Sequence, residues 1–303
     1  MPNDNVRLPS LTAVTGGAGR RRAFGPPLPA RVCAILFLQV LAVLPAVCYA
    51  GGSGNNSGDQ ENERNKSYYY VALGTALTPD YDGSSHYEAL PLIIARWMKR
   101  GRYVELVGAK LRANLIAESL WQFGPVLRWR RARGNVGSDP VARMEHIDGA
   151  LEAGGFFGAM LRDPDDPQRS LGVEIEAMKD VWGVHNGYLV NLELAGGLPL
   201  WNNWTINVSV DSSYGSGRYM RTYFGVKPSD ALRSGLPTYV PKAAFKDVAL
   251  TATLSYNFTD HWGVSLTGRY QRLIDDARDS PVVSGVGSAN QYIATLMATY
   301  LFF

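Results

Sequence analysis

An all-β fold, a single antiparallel transmembrane β-barrel of about twelve strands with ten as the fallback count, is predicted by three features of this 303-residue chain. Segments of about nine to thirteen residues, the length a tilted strand needs to cross a bilayer, alternate apolar and polar side chains with period two. Beyond Tyr68 no apolar run approaches the length of a transmembrane helix. Connections of two length classes fall on opposite sides, short on one and long on the other.

The first fifty residues read as a secretory signal with a long basic region. Arg20, Arg21, Arg22 and Arg31 precede the apolar run Val32 to Val47, and Cys48-Tyr49-Ala50 supplies a cleavage site after Ala50. The run is short for a membrane anchor and Pro45 breaks its end. Removing residues 1–50 takes away both cysteines, Cys33 and Cys48. Five basic residues and one acid leave with them, so the formal charge falls from +3 to −1. The basic pI belongs to the signal, and a nucleic-acid partner is not expected. Residues 51–67 hold no apolar side chain and read as a flexible periplasmic linker, leaving residues 68–303 for the barrel.

The first half of the barrel is assigned to segments Tyr68 to Thr78, Glu88 to Met98, Arg102 to Ala113, Leu120 to Arg131 and Asp148 to Leu161. Leu171 to Val181 and Tyr188 to Leu198 follow. Glu174 and Glu176, then Asn191 and Glu193, mark their polar faces. Trp204 to Val210, Val248 to Phe258 and Trp262 to Gln271 alternate most cleanly. Ala289 to Phe303 closes the series, ending on the aromatic Tyr300-Leu301-Phe302-Phe303. In that strand either Met297 and Leu301 with Phe303, or Leu296 and Tyr300 with Phe302, face lipid. These segments number eleven, and two periplasmic termini require an even count, so one strand between Tyr68 and Leu161 is missed or miscut.

Turn lengths separate this architecture from a water-soluble barrel. Asn202-Asn203 and Thr259-Asp260-His261 are short; Gly215 to Lys246 and Asp275 to Ser288 are long and lie opposite. Trp201, Trp204, Phe258 and Trp262 flank the short turns and are assigned to the periplasmic aromatic girdle. Glu174, Glu176, Glu193 and Arg269 would be costly in lipid at mid-depth, so they are assigned to the lumen.

The connections carry recognisable patterns: Pro79-Asp80-Tyr81-Asp82-Gly83-Ser84, Glu152-Ala153-Gly154-Gly155-Phe156, and Arg218-Tyr219-Met220-Arg221-Thr222-Tyr223-Phe224-Gly225-Val226. Ser234-Gly235-Leu236-Pro237, Phe245-Lys246-Asp247, Thr259-Asp260-His261-Trp262 and Asp279-Ser280-Pro281 follow in order. Together they resemble the MipA/OmpV family, the MltA-interacting proteins of the Gram-negative outer membrane, over nearly all of Tyr68 to Phe303. The family-motif loop is represented by Tyr219, Met220, Tyr223, Phe224 and Gly225. The resemblance implies an outer-membrane barrel in contact with outer-membrane lipid. It also implies a scaffold joining a lytic transglycosylase to a peptidoglycan synthase, other members being linked to permeability, antibiotic response or adhesion. Around His185 the sequence departs from the family pattern, with Trp182 where a glycine-richer turn is usual.

No enzyme site, cofactor or metal is expected. His86, His146, His185 and His261 are scattered among connections without metal-ligand spacing. Ser84 and Ser85 beside His86 read as turn formers. Asp163 to Pro167 and Asp275 to Asp279 read as solvated turns or weak cation sites. The competing function is a narrow pore, favoured by the mixed-charge lumen face.

Overall fold

The computed structural model describes residues 67–302, apart from 118, 119, 165, 167 and 202. The signal and linker expectations for residues 1–66 lie outside the described residues. Twelve antiparallel strands close into a barrel. They are β1 (Ser67–Pro79), β2 (Tyr87–Lys99), β3 (Arg102–Val107), β4 (Lys110–Asn114), β5 (Trp121–Arg130) and β6 (Ala150–Arg162), then β7 (Ser170–Asp180), β8 (Tyr188–Pro199), β9 (Trp204–Gly215), β10 (Ala244–Asn257), β11 (Trp262–Leu273) and β12 (Asn290–Phe302). Each pairs with its sequence neighbour, and β1 closes on β12 from Tyr69↔Phe302 to Leu77↔Ala294. Closure pairs almost all of the strand backbone, which is why strands can cross a bilayer at all. No described helix is long and apolar enough to do so.

The twelfth strand comes from the segment read as one, Arg102 to Ala113. It turns back at Gly108, whose φ of 54° favours glycine, so that Val107 pairs with Lys110. The resulting hairpin is half as tall as its neighbours: β3 has 6 residues and β4 has 5, against 13 in β2. Only Ile94 to Lys99 of β2 pair with β3 and the Ile93 carbonyl accepts the Gly108 N–H at 2.9 Å, so Tyr87 to Leu92 have no ladder partner on that side. Pro91 lies on this open edge, where its missing N–H costs nothing. Arg131 straps the gap above the hairpin, donating to the Asp80 carbonyl at 2.8 Å and pairing with Glu88.

The final strand turns Leu296 (58% exposed) and Phe302 outward, and Met297 (3%) and Leu301 inward. Of the two faces open in the sequence, the one carrying Leu296 and Phe302 faces lipid. The same parity puts Leu73, Ile93, Val173, Ile175, Leu250 and Leu266 on an apolar outer belt. Strands β9 and β10 run further than their alternation suggests, to Gly215 and from Ala244, so the long connection between them spans 216–243. A bulge between Phe245 and Asp247 lets Lys246 and Asp247 both point inward.

The long connections fold back over one mouth. They contain α1 (Asp139–Ala142), α2 (Gly217–Phe224), α3 (Pro228–Ser234), α4 (Asp275–Asp279) and α5 (Pro281–Ser284). Among the described residues the opposite mouth has no helix, and its turn Arg100-Gly101, with positive φ at both residues, is the two-residue hairpin turn that suits strand twist.

Candidate functional site

Buried charged side chains converge in the lumen, and its two halves differ. In the long-loop half, Glu152 on β6 is 1% exposed and is the hub of a network. Arg128 Nε donates to it at 2.6 Å, Arg130 Nε at 2.8 Å and His185 Nε2 lies at 3.1 Å. The Gly187 N–H donates to His185 Nδ1 at 3.1 Å, which assigns the ring proton to Nε2 and makes the imidazole a donor to Glu152. His185 reaches this depth because Asp180, at the end of β7, accepts the backbone N–H groups of Trp182, Gly183, His185 and Asn186 at 2.7–3.1 Å. The same turn throws Trp182 outward, edge-on to Trp129 with centroids 4.8 Å apart.

Helix α2 sits on this hub. Ser216 caps it, and Tyr219, Met220, Tyr223 and Phe224 occupy one face, all buried. The stretch expected as a motif loop is therefore a helix, made by apolar residues at i, i+1, i+4 and i+5. Tyr219 packs edge-on to His185 at 5.3 Å, and the Arg130 guanidinium lies over the Tyr219 and Tyr223 rings at 4.9 and 5.2 Å. Burial pushes both phenols up, so they stay neutral. Ser280 donates to the Phe224 carbonyl at 2.6 Å and Arg133 to the Tyr223 carbonyl at 2.7 Å, tying the helix end to two other connections. At Gly225 the chain leaves the helix, and a Cβ there would meet the Arg221 carbonyl oxygen at 2.3 Å.

Across mid-barrel, basic residues from β4 face acids from β7. Lys110 pairs with Glu176 at 2.5 Å, and Arg112 with Glu174 at 2.9 Å. Arg112 also lies 3.3 Å from Glu105, which Arg96 approaches at 3.3 Å. Arg269 grips Asp211 with two nitrogens at 2.5 and 2.9 Å and donates to Thr251 at 2.9 Å. Lys246 pairs with Asp247, and Gln271 donates to the same carboxylate at 2.5 Å. Glu193 stands in register between Glu174 and Asp211 and lines the cavity of about 80 Å³ left in this half, where it meets Lys110, Arg128 and Arg269.

The sequence singled out Glu174, Glu176, Glu193 and Arg269 but not the hub Glu152, nor Lys110, Arg112, Arg128, Arg130 and Asp211. A signal was present: Lys110-x-Arg112 and Arg128-x-Arg130 repeat a charge on one strand face, as Glu174-x-Glu176 does.

The short-turn half holds a separate cavity of about 60 Å³. Tyr70, Ala72, Leu92, Ile94 and Met297 line it beside Thr253, Ser255, Ser265, Thr267 and Thr295 on neighbouring strands. Its only ionisable side chains besides Tyr70 are Asp260 and His261, at the turn.

Around the outside, Trp201 (64% exposed), Phe258 and Trp262 surround the short-turn end, with Trp204 half-buried against Tyr256 at 4.7 Å. Trp262, Tyr300 and Phe302 continue the ring edge to face at 4.8 and 4.6 Å. A second ring at the other end, Tyr214 with Phe245 and Tyr270 with Tyr292, was not read from the sequence. Ser84 accepts the backbone N–H of His86 at 2.9 Å, a turn contact and not a nucleophile–base pair. Asp276 accepts the Lys242 N–H at 2.5 Å, and Asp279 pairs with Arg278 at 2.7 Å. Among the described residues no group of three or more His, Cys, Asp or Glu could hold a metal ion.

A protein-family model described as MltA-interacting protein MipA matches residues 71–302. The MltA-interacting proteins of Escherichia coli (strain K12) and Shigella flexneri are each 35% identical over 79 residues, which is 26% of this chain and 32% of the relative. The matched part thus spans about a third of those relatives' length. Among solved structures, the COG4313 outer membrane channel from Pseudomonas putida F1 aligns over 78% of this chain and 96% of its own at 11% identity, with a TM-score of 0.39. The outer-membrane OmpT of Vibrio cholerae aligns over 78% and 97% at 8% identity, with a TM-score of 0.36.

Proposed function

The chain belongs to the MltA-interacting protein MipA family and is a Gram-negative outer-membrane β-barrel, and on that footing we propose that it is a non-enzymatic scaffold that holds a peptidoglycan lytic transglycosylase and a peptidoglycan synthase at the outer membrane. The observation that carries this reading is the occluded lumen. Arg112–Glu174 and Lys110–Glu176 reach from β4 to β7 at mid-depth, Arg269–Asp211 fills the wall over β10, and α2 lies buried over the outer mouth. A barrel filled in this way works through its surfaces. The name shared by the relatives from Escherichia coli and Shigella flexneri, MltA-interacting protein, supports the choice of partner.

The narrow-pore reading draws on the mixed charge of the same lumen, but the two cavities, about 80 and 60 Å³, are each room for a few waters. The scaffold reading is tested by co-purification from detergent with a lytic transglycosylase and, separately, with a peptidoglycan synthase. Retention of both is expected, and deletion of the linker expected at residues 51–67 weakens retention while the barrel stays heat-modifiable on gels. Failure of the full-length chain to retain either enzyme contradicts the proposal.

A further inference from the structure

Along the inward face of β8, Leu189, Asn191 and Glu193 follow one another from the outer end toward mid-barrel, and Ser213 and Asp211 of β9 stand opposite the last two in register. All five line the outer cavity of about 80 Å³. Glu193 is 6% exposed and has a carboxylate on either side, Glu174 in register on β7 and Asp211 on β9. Like charges set opposite each other repel. Arg112 neutralises Glu174, and Arg269 neutralises Asp211. Glu193 has no such relief: among the described residues it alone of the acids lining the cavity makes neither an ion pair nor a hydrogen bond. Nor does the lining hold a base to spare. Lys110 is held by Glu176, Arg128 and Arg130 by Glu152, Arg131 by Glu88, Lys246 by Asp247 and Arg269 by Asp211. One buried carboxylate is left over, and a charge so placed is costly unless a positive group answers it.

We propose that Glu193 is the centre of a binding site for one primary ammonium group, admitted from the outer mouth. The oxygens beside its carboxylate are set to accept. Ser213 spends its hydroxyl proton on the Asn191 side-chain oxygen at 3.0 Å, so its own oxygen keeps lone pairs for a donor, and a second lone pair remains on Asn191. A primary ammonium carries three N–H donors and one charge, which answers one carboxylate and two neutral acceptors. An anion would have to displace a carboxylate from a base that already has one. A divalent ion would bring a second charge into a lining whose other carboxylates are taken. The outer end of the cavity is formed by Asp80 and Asp82 in the connection after β1, and Asp80 Oδ1 is buried there without a hydrogen-bond partner, so the way in is acidic too. The space is room for a few waters, enough for an ammonium on a short carbon chain beside Leu189. Occupancy of this site requires nothing of the scaffold role.

The test is the thermal midpoint of the full-length barrel in detergent, followed by gel mobility, in methylammonium, tetramethylammonium or sodium chloride at equal ionic strength. A ligand that binds only the folded state raises the midpoint as its concentration rises. Methylammonium is expected to raise it, whereas tetramethylammonium, which has no N–H, is not. Glu193→Gln, close in shape and uncharged, abolishes the rise. Ser213→Ala keeps the charge and removes one acceptor, so it weakens the apparent affinity about tenfold, and it carries the test if Glu193→Gln does not fold. Equal midpoints in the three salts overturn the proposal, and a midpoint that follows pH alone assigns Glu193 as a protonated acid instead. A rise in sodium chloride equal to that in methylammonium overturns it in favour of an alkali ion. A methylammonium effect that survives both substitutions overturns it by placing the cation elsewhere. Enzyme retention plays no part in this readout, so failure of the scaffold reading leaves the result intact.

Discussion

Toward the outer mouth, Arg128, Arg130 and His185 converge on Glu152 beneath a helix. Toward the periplasm, Leu92 and Met297 lie beside Ser255, Ser265 and Thr267 on neighbouring strands around a cavity whose lining carries no ion pair. The hub is built on β5, β6 and the turn after β7, and the cavity on β1, β2 and β10 to β12, with one inward parity throughout, so the difference lies in what each strand face carries. The outer half is a set of buried charges that must be paired, because an unpaired one is expensive in a low dielectric. Removing one member should therefore spread its effect. The lining of the short-turn cavity, apart from Asp260 and His261 at the turn, is uncharged and loosely bonded, and single changes there should cost little and be felt locally.

The largest effect is expected for Glu152→Ala, which strands two buried guanidiniums and an imidazole N–H. The loss is about 3–5 kcal/mol, read as a lowered midpoint of urea unfolding followed by gel mobility. An unchanged midpoint would mean that the hub is not a hub. Phe224→Ala comes next, because a fully buried ring of α2 leaves a cavity costing about 3 kcal/mol. Here the barrel midpoint stays put and the 216–243 connection becomes open to protease added from outside, since the helix undocks without unfolding the sheet. Asp180→Asn removes the charge from four backbone hydrogen bonds and costs about 1–2 kcal/mol, measured as faster amide exchange at His185 and Asn186. Thr267→Val, in that uncharged lining, breaks only the bond to Thr253 and costs about 0.5–1 kcal/mol, with no change in protease sensitivity. A loss as large as that of Glu152→Ala would erase the distinction between the halves.

The barrel is readable in the sequence because alternation is a local property that closure does not alter. Where two strands read as one, the sign is subtle. Inward residues run Tyr103, Glu105, Val107 and then Lys110, Arg112, Asn114, a slip of phase at Gly108 with no proline or asparagine to announce a turn. Within the lumen, parity distinguishes Glu174 and Glu176 from Ile175. It cannot say that Arg112 and Lys110, some sixty residues earlier, stand opposite, because that depends on how the closed sheet curves. His185 is harder still: its depth is set by the backbone donors that Asp180 gathers, which no spacing of histidines reveals. The Tyr219-to-Gly225 pattern is plain as a pattern, whereas its helical form follows from packing against His185, Leu189, Leu273 and Val283.

Conductance across a planar lipid bilayer tests the closed lumen most directly. The full-length barrel is predicted to be silent at moderate voltage, with steps appearing in Phe224→Ala combined with Arg269→Gln, which frees α2 and breaks one mid-barrel bridge. Steady ohmic steps from the unaltered protein would contradict the account.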